Sequence, residues 1–298
     1  MNPIKKLIYG LLKKNRHFNQ AFYARIHYEY YHGKKLDLEN TVEFSEKIHW
    51  LKVYYHLPIL NQLVDKYAVR SYVKEKVGEQ YLNEIYRVYD KASEVNFDEL
   101  PAQFVIKATH SSNTNIIVTD KSKLNKLKAK FLMNKWMNEN LYFSGGQEWA
   151  YKDVPPRLIA EKYLNPNEGG LKDFRFFCFS GEPKFVQIGS VYQGARYVSY
   201  YDLNWEKLPV IGVSQEHPVL LEKPFQFKEM VEVAKTLSQG FPFVRVDMYP
   251  YHDKIIFGEM TFYPNDGRVS YVPAKYNKIF GDYILLPDLK GKKEITSI

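Results

Sequence analysis

Hydrophobic and polar positions alternate most regularly between Phe243 and Gly267, in the stretch FVRVDMYPYHDKIIFGEMTFYPNDG. Two short runs rich in Val, Ile and Phe flank the turn-forming Pro250, His252 and Asp253, which predicts a β-hairpin. Strand alternation puts Arg245, Asp247 and Tyr249 on one face of the first strand, and Val244, Val246 and Met248 on the other. In the second strand Ile255, Phe257, Glu259 and Thr261 are expected to share a face. A three-residue loop centred on Asp253 pairs Asp247 directly with Glu259, and a slip of two residues makes them diagonal neighbours. Carboxylates so placed repel one another. A divalent cation reverses the sign of that interaction, and Mg²⁺ is typically held by one or two carboxylates with phosphates completing its shell. A solvated sheet face has the same pattern, so the rest of the chain has to choose.

Residues 4 to 33 read as helix, with Ile4, Leu7, Ile8, Leu11 and Leu12 on one stripe and lysines and Arg16 around it. A basic amphipathic helix can lie on an anionic membrane, but an apolar stripe is first a core signal, and packing on the body is expected. Residues 44 to 78 are helical with Ser45 as N-cap and Pro58 as divider. There Lys66, Arg70 and Lys74 recur every four residues, on a face expected to be solvated. From Tyr86 the pattern becomes strand-like, and FVIKATH (104–110) and NIIVTD predict a second hairpin. Lys107 lies in it among apolar neighbours, where an ammonium needs a partner. The intervening turn offers His110, Ser111, Ser112 and Asn113, groups of the kind that wrap phosphates, but no glycine. Helices are predicted at 122–143 and 226–239, a strand at RLIAEKYL, and a third hairpin from DFRFFCF and KFVQIGSVY around SGEP.

Composition narrows the class. The 298 residues, 45% of them hydrophobic, suffice for a substantial core. A net charge of +8 points to anionic partners without choosing among nucleotides, nucleic acid, acidic sugars and membranes. The basic residues are dispersed instead of forming one stripe, which disfavours nucleic acid. The single Cys178 excludes an internal disulfide framework, suits a reducing compartment and reads as a small buried hydrophobe. Lysines interrupt the apolar clusters at the N-terminus, and no run reaches the eighteen or so apolar residues of a membrane span, so a cytoplasmic protein is expected, at most at the inner face of the membrane. The 25 Tyr and 19 Phe are assigned to packing. There is no repeat, zinc-type Cys/His spacing, G-x-S-x-G elbow or Walker A loop.

The order of FSEKIHWLK, VDKYAVRSYV, FVIKATHSSNTNIIV, LIAEKYL, DFRFFCFSGEPK, and VRVDMY with FGEMTFYPNDG resembles the TupA-like branch of the ATP-grasp superfamily, which is associated with bacterial surface polysaccharides. The resemblance covers about residues 40 to 288. It implies an α+β fold of two subdomains clamping ATP: a helical N-terminal extension (1–43), a helical part (44–85), a subdomain with the phosphate-binding hairpin (86–160) and one with the hinge and metal hairpin (161–298). By this resemblance Lys66 and Lys107 reach the nucleotide phosphates, with Ser111 and Ser112 in the phosphate turn. Glu161, Lys162, Tyr163 and Leu164 form the hinge beside adenine, and Asp173, with Glu168 as competitor, accepts from the ribose. Asp247 and Glu259 hold Mg²⁺, with Thr261 where many relatives carry Asn. Arg245, and less directly Arg175, clamps phosphate or the substrate carboxylate, and His110 caps the phosphates or is simply a turn histidine.

The implied activity is ATP-dependent amide formation through an acyl phosphate. It joins a carboxylate, such as a uronic acid of a surface or capsular glycan precursor, to an amino acid or other amine. The cofactors implied are ATP and Mg²⁺, and the partners are the two substrates and, at the membrane, the polysaccharide assembly machinery, with no nucleic acid. Two other readings stand beside it: a glycosyltransferase of polysaccharide synthesis, which does not account for two phosphate lysines on separate elements, and a non-catalytic nucleotide- or anion-binding module.

Overall fold

The computed structural model describes residues 3–12, 18–165 and 171–297. Among them two antiparallel sheets face one cleft. The first has the order β1-β4-β2-β3, from β1 (Ile85–Tyr89), β2 (Phe104–Ala108), β3 (Asn115–Val118) and β4 (Leu158–Lys162). The second has the order β7-β6-β5-β8-β9, from β5 (Asp173–Phe179), β6 (Glu182–Tyr192), β7 (Ala195–Asp202), β8 (Phe243–Tyr251) and β9 (Lys254–Thr261). β4 straddles residue 160, so the first sheet extends past the expected 160/161 boundary. Helices α1 (Pro3–Leu12), α2 (Gln20–His32), α3 (Phe44–Tyr54), α4 (Ile59–Val64) and α5 (Val69–Lys76) precede the first sheet. α6 (Lys126–Met137) and α7 (Leu141–Ser144) lie between β3 and β4, with α8 (Phe227–Leu237) before β8 and α9 (Lys275–Asp282) after β9.

Each sheet has its own core. Phe104, Ile106, Leu158 and Ala160 pack under Ala129, Met133 and Trp136 of α6. The second sheet buries an aromatic layer in which the Phe177–Phe185 and Phe185–Phe280 rings stack at 4.6 and 4.2 Å. Phe44 and Ile48 of α3 close that layer, so α2 to α5, although they precede the first sheet, belong to the core of the second. Cys178 is wholly buried there, and burial pushes its thiol well above the ordinary range.

Local chemistry moved several boundaries. α3 starts at Phe44 instead of being capped by Ser45, because the Glu46 carboxylate accepts from the N–H groups of Val42 and Glu43 (both 2.8 Å). The stretch after Pro58 breaks again at Asp65, whose side chain accepts from Tyr67 N–H (2.8 Å) and Ala68 N–H (3.0 Å) and pairs with Arg157. Lys66 is therefore on a turn and does not share a solvated helix face with Arg70 and Lys74. The predicted helix at 122–143 stops at Met137, where the Asn138–Asn140 segment intervenes before α7. The turn of the third hairpin contains only Ser180 and Gly181, both at positive φ, and β6 begins at Glu182.

The N-terminal expectation is overturned twice. α1 and α2 are separate helices, with Asn19 capping α2 through Ala21 N–H at 3.0 Å. The apolar stripe of α1 also fails to pack on the body: Ile4, Leu7, Ile8 and Leu11 are 48–69% exposed. The opposite side of α1 meets α2, where Gly10 lies against Tyr30 and the Lys6 ammonium stands 6.0 Å from the Tyr30 ring.

Candidate functional site

The β8–β9 hairpin sets two carboxylates opposite each other. Asp247 pairs in register with Glu259, as expected, but by another route. The turn is the two-residue His252–Asp253, with His252 at φ 53°, and Gly258 forms a bulge that restores the pairing. The same bulge flips the outer half of β9: Ile255 and Phe257 join Val246, Met248 and Met260 on the core side, contrary to the face expected for them. A Cβ at Gly258 would lie 2.8 Å from Tyr249 Cε2 and 3.0 Å from the Asp247 carbonyl oxygen. Gly258→Ala is therefore expected to cost about 1–3 kcal/mol in stability, checked by thermal melting.

Between the carboxylates stands Arg245. Its Nε donates to Asp247 Oδ1 (2.7 Å), while Nη2 donates to Asp247 Oδ2 (2.5 Å), Glu259 Oε1 (3.1 Å) and Thr261 Oγ1 (3.2 Å). Thr261 in turn donates to Glu259 Oε1 at 3.0 Å. Arg175 on β5 reaches Asp173, and its Nε stands 3.8 Å from Asp247 Oδ2. Burial pushes the Asp247 carboxyl up to about 7 against the pull of Arg245, and nearby Asp173 and Glu259 add to the rise. Burial acts upward on Glu259 too, but Lys66 and Arg245 outweigh it and hold that carboxyl below its ordinary range. Without ligand, Arg245 is a counter-ion to both carboxylates, a different position from the clamp expected of it.

The first sheet supplies the facing wall. Lys107 on β2 pairs with Asn115 of β3 and Ile159 of β4, and its ammonium finds the required partner in Glu161. Lys66 arrives from the α4–α5 turn, held by its N–H to the Thr109 carbonyl at 3.1 Å and by its ammonium to the Ser111 carbonyl. Burial lowers the Lys66 ammonium below its ordinary value. The structure thus gathers Lys66, Lys107, Ser112, Glu161, Leu164, Asp173, Arg175, Arg245, Asp247, Glu259 and Thr261 around one cleft of about 1260 Å³. Four expected residues do not line it. His110 is buried against α6, with its Nε2 2.9 Å from the Trp136 carbonyl oxygen, which removes it from any phosphate contact in this arrangement. Ser111 is buried and presents its carbonyl to Lys66 in place of its hydroxyl. Lys162 points outward to Glu84 (3.8 Å), and Tyr163 is outside the lining. Glu168 falls outside the described residues.

Among the described residues no group of three or more His, Cys, Asp or Glu could hold a metal. The donor set is two carboxylates and a hydroxyl, all hard oxygens, which suits Mg²⁺ only when phosphate oxygens complete the shell. Asp173 Oδ1 has no hydrogen-bond partner, a vacant acceptor on the cleft wall.

Sequence reading missed the far end of the cleft. There Tyr23, His27 and Tyr31 of α2 face Glu148, Asp266 and Arg268. Asp266 is tied to Lys52, with the Lys52 ammonium 2.8 Å from the Asp266 carbonyl oxygen as well, and its Oδ2 lies 2.9 Å from His27 Nε2. The Ser45 carbonyl can only accept, so His49 Nδ1 donates to it (2.8 Å), and His49 Nε2 accepts from His27 Nδ1 (3.1 Å). With Nδ1 carrying that proton, His27 Nε2 donates to Asp266 only as the doubly protonated imidazolium, and burial lowers the His27 imidazole below its ordinary value against the pull of Asp266. Gly146 allows the close approach, since a Cβ there would fall 1.9 Å from Asp266 Oδ1. Burial and the adjacent Asp266 push the half-buried Glu148 up to about 8. A carboxyl raised on folding binds a proton that the unfolded chain releases, so it lowers stability as pH rises from about 4.3. Glu148→Gln is expected to gain stability relative to wild type between about pH 4.3 and 8. Chemical denaturation of both proteins across that range checks this, and a constant difference counts against it.

Two antiparallel sheets closing on a charged cleft, with a carboxylate hairpin on one and an ion-paired lysine on the other, define the ATP-grasp class, whose members are mostly ATP-dependent ligases. The chain belongs to the TupA-like ATP-grasp family, whose model matches residues 46–285. No curated protein sequence matches it. Similar solved structures include the D-alanine–D-alanine ligase of Bacillus anthracis complexed with ATP (16% identity, TM-score 0.41, 76% of this chain and 65% of that one). The D-alanine–D-alanine ligase of Helicobacter pylori is 13% identical (TM-score 0.41, 75% and 61%). The N5-carboxyaminoimidazole synthase of Aspergillus clavatus, in complex with ADP and 5-aminoimidazole ribonucleotide, is 12% identical (TM-score 0.37, 74% and 46%). The chain spans less than two thirds of the length of each of these three.

Proposed function

We propose that the chain is an ATP-dependent carboxylate–amine ligase that forms an amide through an acyl phosphate and releases ADP. The observation that carries this reading is the facing of Lys66 and Lys107 against the Asp247–Glu259 pair across one cleft. The lysines neutralise charge on the transferring phosphoryl oxygens, and positioning supplies much of the rate. Asp247 and Glu259, with Thr261 beside them, would hold Mg²⁺, which would supply charge neutralisation at the phosphates. The Glu161–Leu164 segment lies beside the base, and Asp173, with its vacant oxygen, accepts from the ribose. Arg245, now the counter-ion of both carboxylates, would be the cation available to phosphate or to the substrate carboxylate. The acid is a uronic acid of a bacterial surface polysaccharide precursor, and the protein works in the cytoplasm. ATP consumption that requires carboxylate and amine together and yields ADP and phosphate is the expected result. AMP, or a nucleoside diphosphate released from a sugar donor as a glycosyltransferase would release it, overturns the reading.

We further propose that α1 lies on an anionic bilayer. Among the described residues no helix is long and apolar enough to cross a membrane. The stripe of α1 faces solvent, and the first sixteen residues contain Lys5, Lys6, Lys13, Lys14 and Arg16 and no acid. Full-length protein is expected to co-sediment with phosphatidylcholine–phosphatidylglycerol vesicles but not with pure phosphatidylcholine, and the Leu7→Glu/Leu11→Glu variant to remain in solution. Equal sedimentation of variant and wild type refutes the role of this helix.

A further inference from the structure

Two lysines from separate parts of the chain can serve one set of phosphates only if something fixes the distance between them. Lys107 is on β2 of the first sheet, whereas Lys66 comes from the α4–α5 turn, whose helices bury Leu60, Leu63, Val64 and Val69 in the core of the second. A closed circuit of bonds spans that gap. Thr109, just beyond β2, accepts from the Lys66 N–H through its carbonyl (3.1 Å) and donates its own N–H to the Arg157 carbonyl (2.9 Å). Arg157, just before β4, returns to the same turn through its side chain: its Nη2 donates to Asp65 Oδ2 at 2.7 Å, and its guanidinium lies 5.0 Å from the centre of the Tyr67 ring. Asp65 Oδ1 accepts from Tyr67 N–H (2.8 Å) and Ala68 N–H (3.0 Å), which holds the backbone on the other side of Lys66. Asp65 is 1% exposed, so its charge needs an answer inside the protein, and Arg157 provides it. Within this circuit the Asp65–Arg157 bond is the one link made by side chains at both ends, and neither residue lines the cleft. Burial draws the Lys66 ammonium down, and Glu259 and Asp65 are among the carboxylates that oppose it.

Resting on the nucleotide reading of the cleft given above, we propose that Asp65 and Arg157 are positioning residues that set Lys66 against Lys107 for the nucleotide phosphates without touching them. A lysine ammonium is a point charge on a flexible four-carbon stem, so its value to a phosphate depends on where its backbone is held. Here the backbone on both sides of Lys66 is fixed in the folded chain, and the ordering is complete before nucleotide arrives. Cutting the Asp65–Arg157 link lets the α4–α5 turn move relative to β2. Lys66 then meets the phosphates at a longer or variable distance, while Lys107 stays on its strand. An ion pair serving stability alone behaves differently: its loss lowers the melting temperature and leaves nucleotide affinity as it was, because neither side chain reaches the cleft.

The test uses the full chain with Mg²⁺ and a non-hydrolysable ATP analogue, followed by titration calorimetry and thermal melting. Asp65→Asn keeps an oxygen for the Tyr67 and Ala68 N–H groups and removes the charge that Arg157 pairs with, and it is expected to weaken analogue binding about tenfold. Arg157→Gln is expected to do the same, and Arg157→Lys, which keeps the charge, to recover part of the affinity. Where a single variant fails to fold, the paired Asp65→Asn/Arg157→Gln variant, which strands no buried charge, is expected to show the same loss. In a Lys66→Met background no ammonium remains to be positioned, and the same substitutions should change affinity by about twofold or less. Variants that melt lower yet bind the analogue as wild type does overturn the inference, and so does a tenfold loss that persists in Lys66→Met. Either result in a wild-type chain that binds nucleotide sinks this inference alone, whereas a wild type that binds no nucleotide overturns the ligase reading and this inference with it.

Discussion

Lys107→Ala is expected to fold normally and to lose affinity for Mg·ATP by about a hundredfold, measured by titration calorimetry. The ammonium sits at the inner end of β2, paired with Glu161. Its removal takes a cation from the phosphates and also leaves the Glu161 carboxylate, which lines the cleft, without its ion-pair partner toward a polyanion. Both effects oppose binding, so the loss exceeds that of a surface lysine, where ion pairs contribute at most about 1 kcal/mol. Glu259→Gln probes the facing wall. It keeps the shape and the partner hydroxyl of Thr261, leaves Arg245 bonded to Asp247, and removes one of the two anionic ligands for the ion. Nucleotide affinity unchanged in both variants would remove the assignment of this cleft to ATP.

Asp266→Ala is expected to destabilise the protein by about 3–5 kcal/mol, the cost of breaking a buried pair. Lys52 is 1% exposed, and it would keep carbonyl partners but lose its counter-charge, while His27 would lose the acceptor at the end of its chain. The melting temperature should fall by on the order of 10 °C. The paired Lys52→Met/Asp266→Leu variant should recover most of that, because it removes the stranded charge along with its partner. A single variant that melts with wild type would show that the pair contributes nothing. The pH dependence has a definite sign. Burial acts upward on Asp266, but Lys52 and His27 hold its folded carboxyl far below the ordinary range. Its contribution is therefore complete above the unfolded carboxylate range, about 3.9, and is lost as pH falls toward the folded value. In Asp266→Ala the acid limb of the stability curve should be correspondingly shallower.

What was legible in the sequence was local. The alternation around Asp247 and Glu259 makes them direct or diagonal neighbours, of which the structure has the direct pair, and the apolar setting of Lys107 calls for a partner, which is Glu161. Misreadings came where one residue changed a period: the Gly258 bulge turned Ile255 and Phe257 to the core, and Asp65 broke a helix that charge spacing had drawn through Lys66. The α1 stripe was read as core because periodicity reports that a face is apolar, and not what covers it. Invisible altogether was the network of Lys52, Asp266 and His27, since Lys52 meets Asp266 across 214 positions and no short motif records such a pairing. β7 is missed as well: between the third hairpin and the helix at 226–239 the sequence reading assigns nothing, residues 195–202 included.

Arg245 between Asp247 and Glu259 has a consequence for the order in which ligands arrive. Asp173, Asp247 and Glu259 are matched by Arg175, Arg245 and Lys66, and Glu161 by Lys107, so each of these carboxylates has its own counter-cation before anything binds, and Arg70 and Arg196 add positive charge to the cleft wall. A bare divalent ion entering the cleft would have to displace a guanidinium from a bidentate pair and would add to that positive charge. If the cleft takes Mg·ATP as proposed, the nucleotide's own anions would pair with the displaced guanidinium and the lysines, and metal and nucleotide would load as one unit, the free ion being disfavoured by charge rather than by shape.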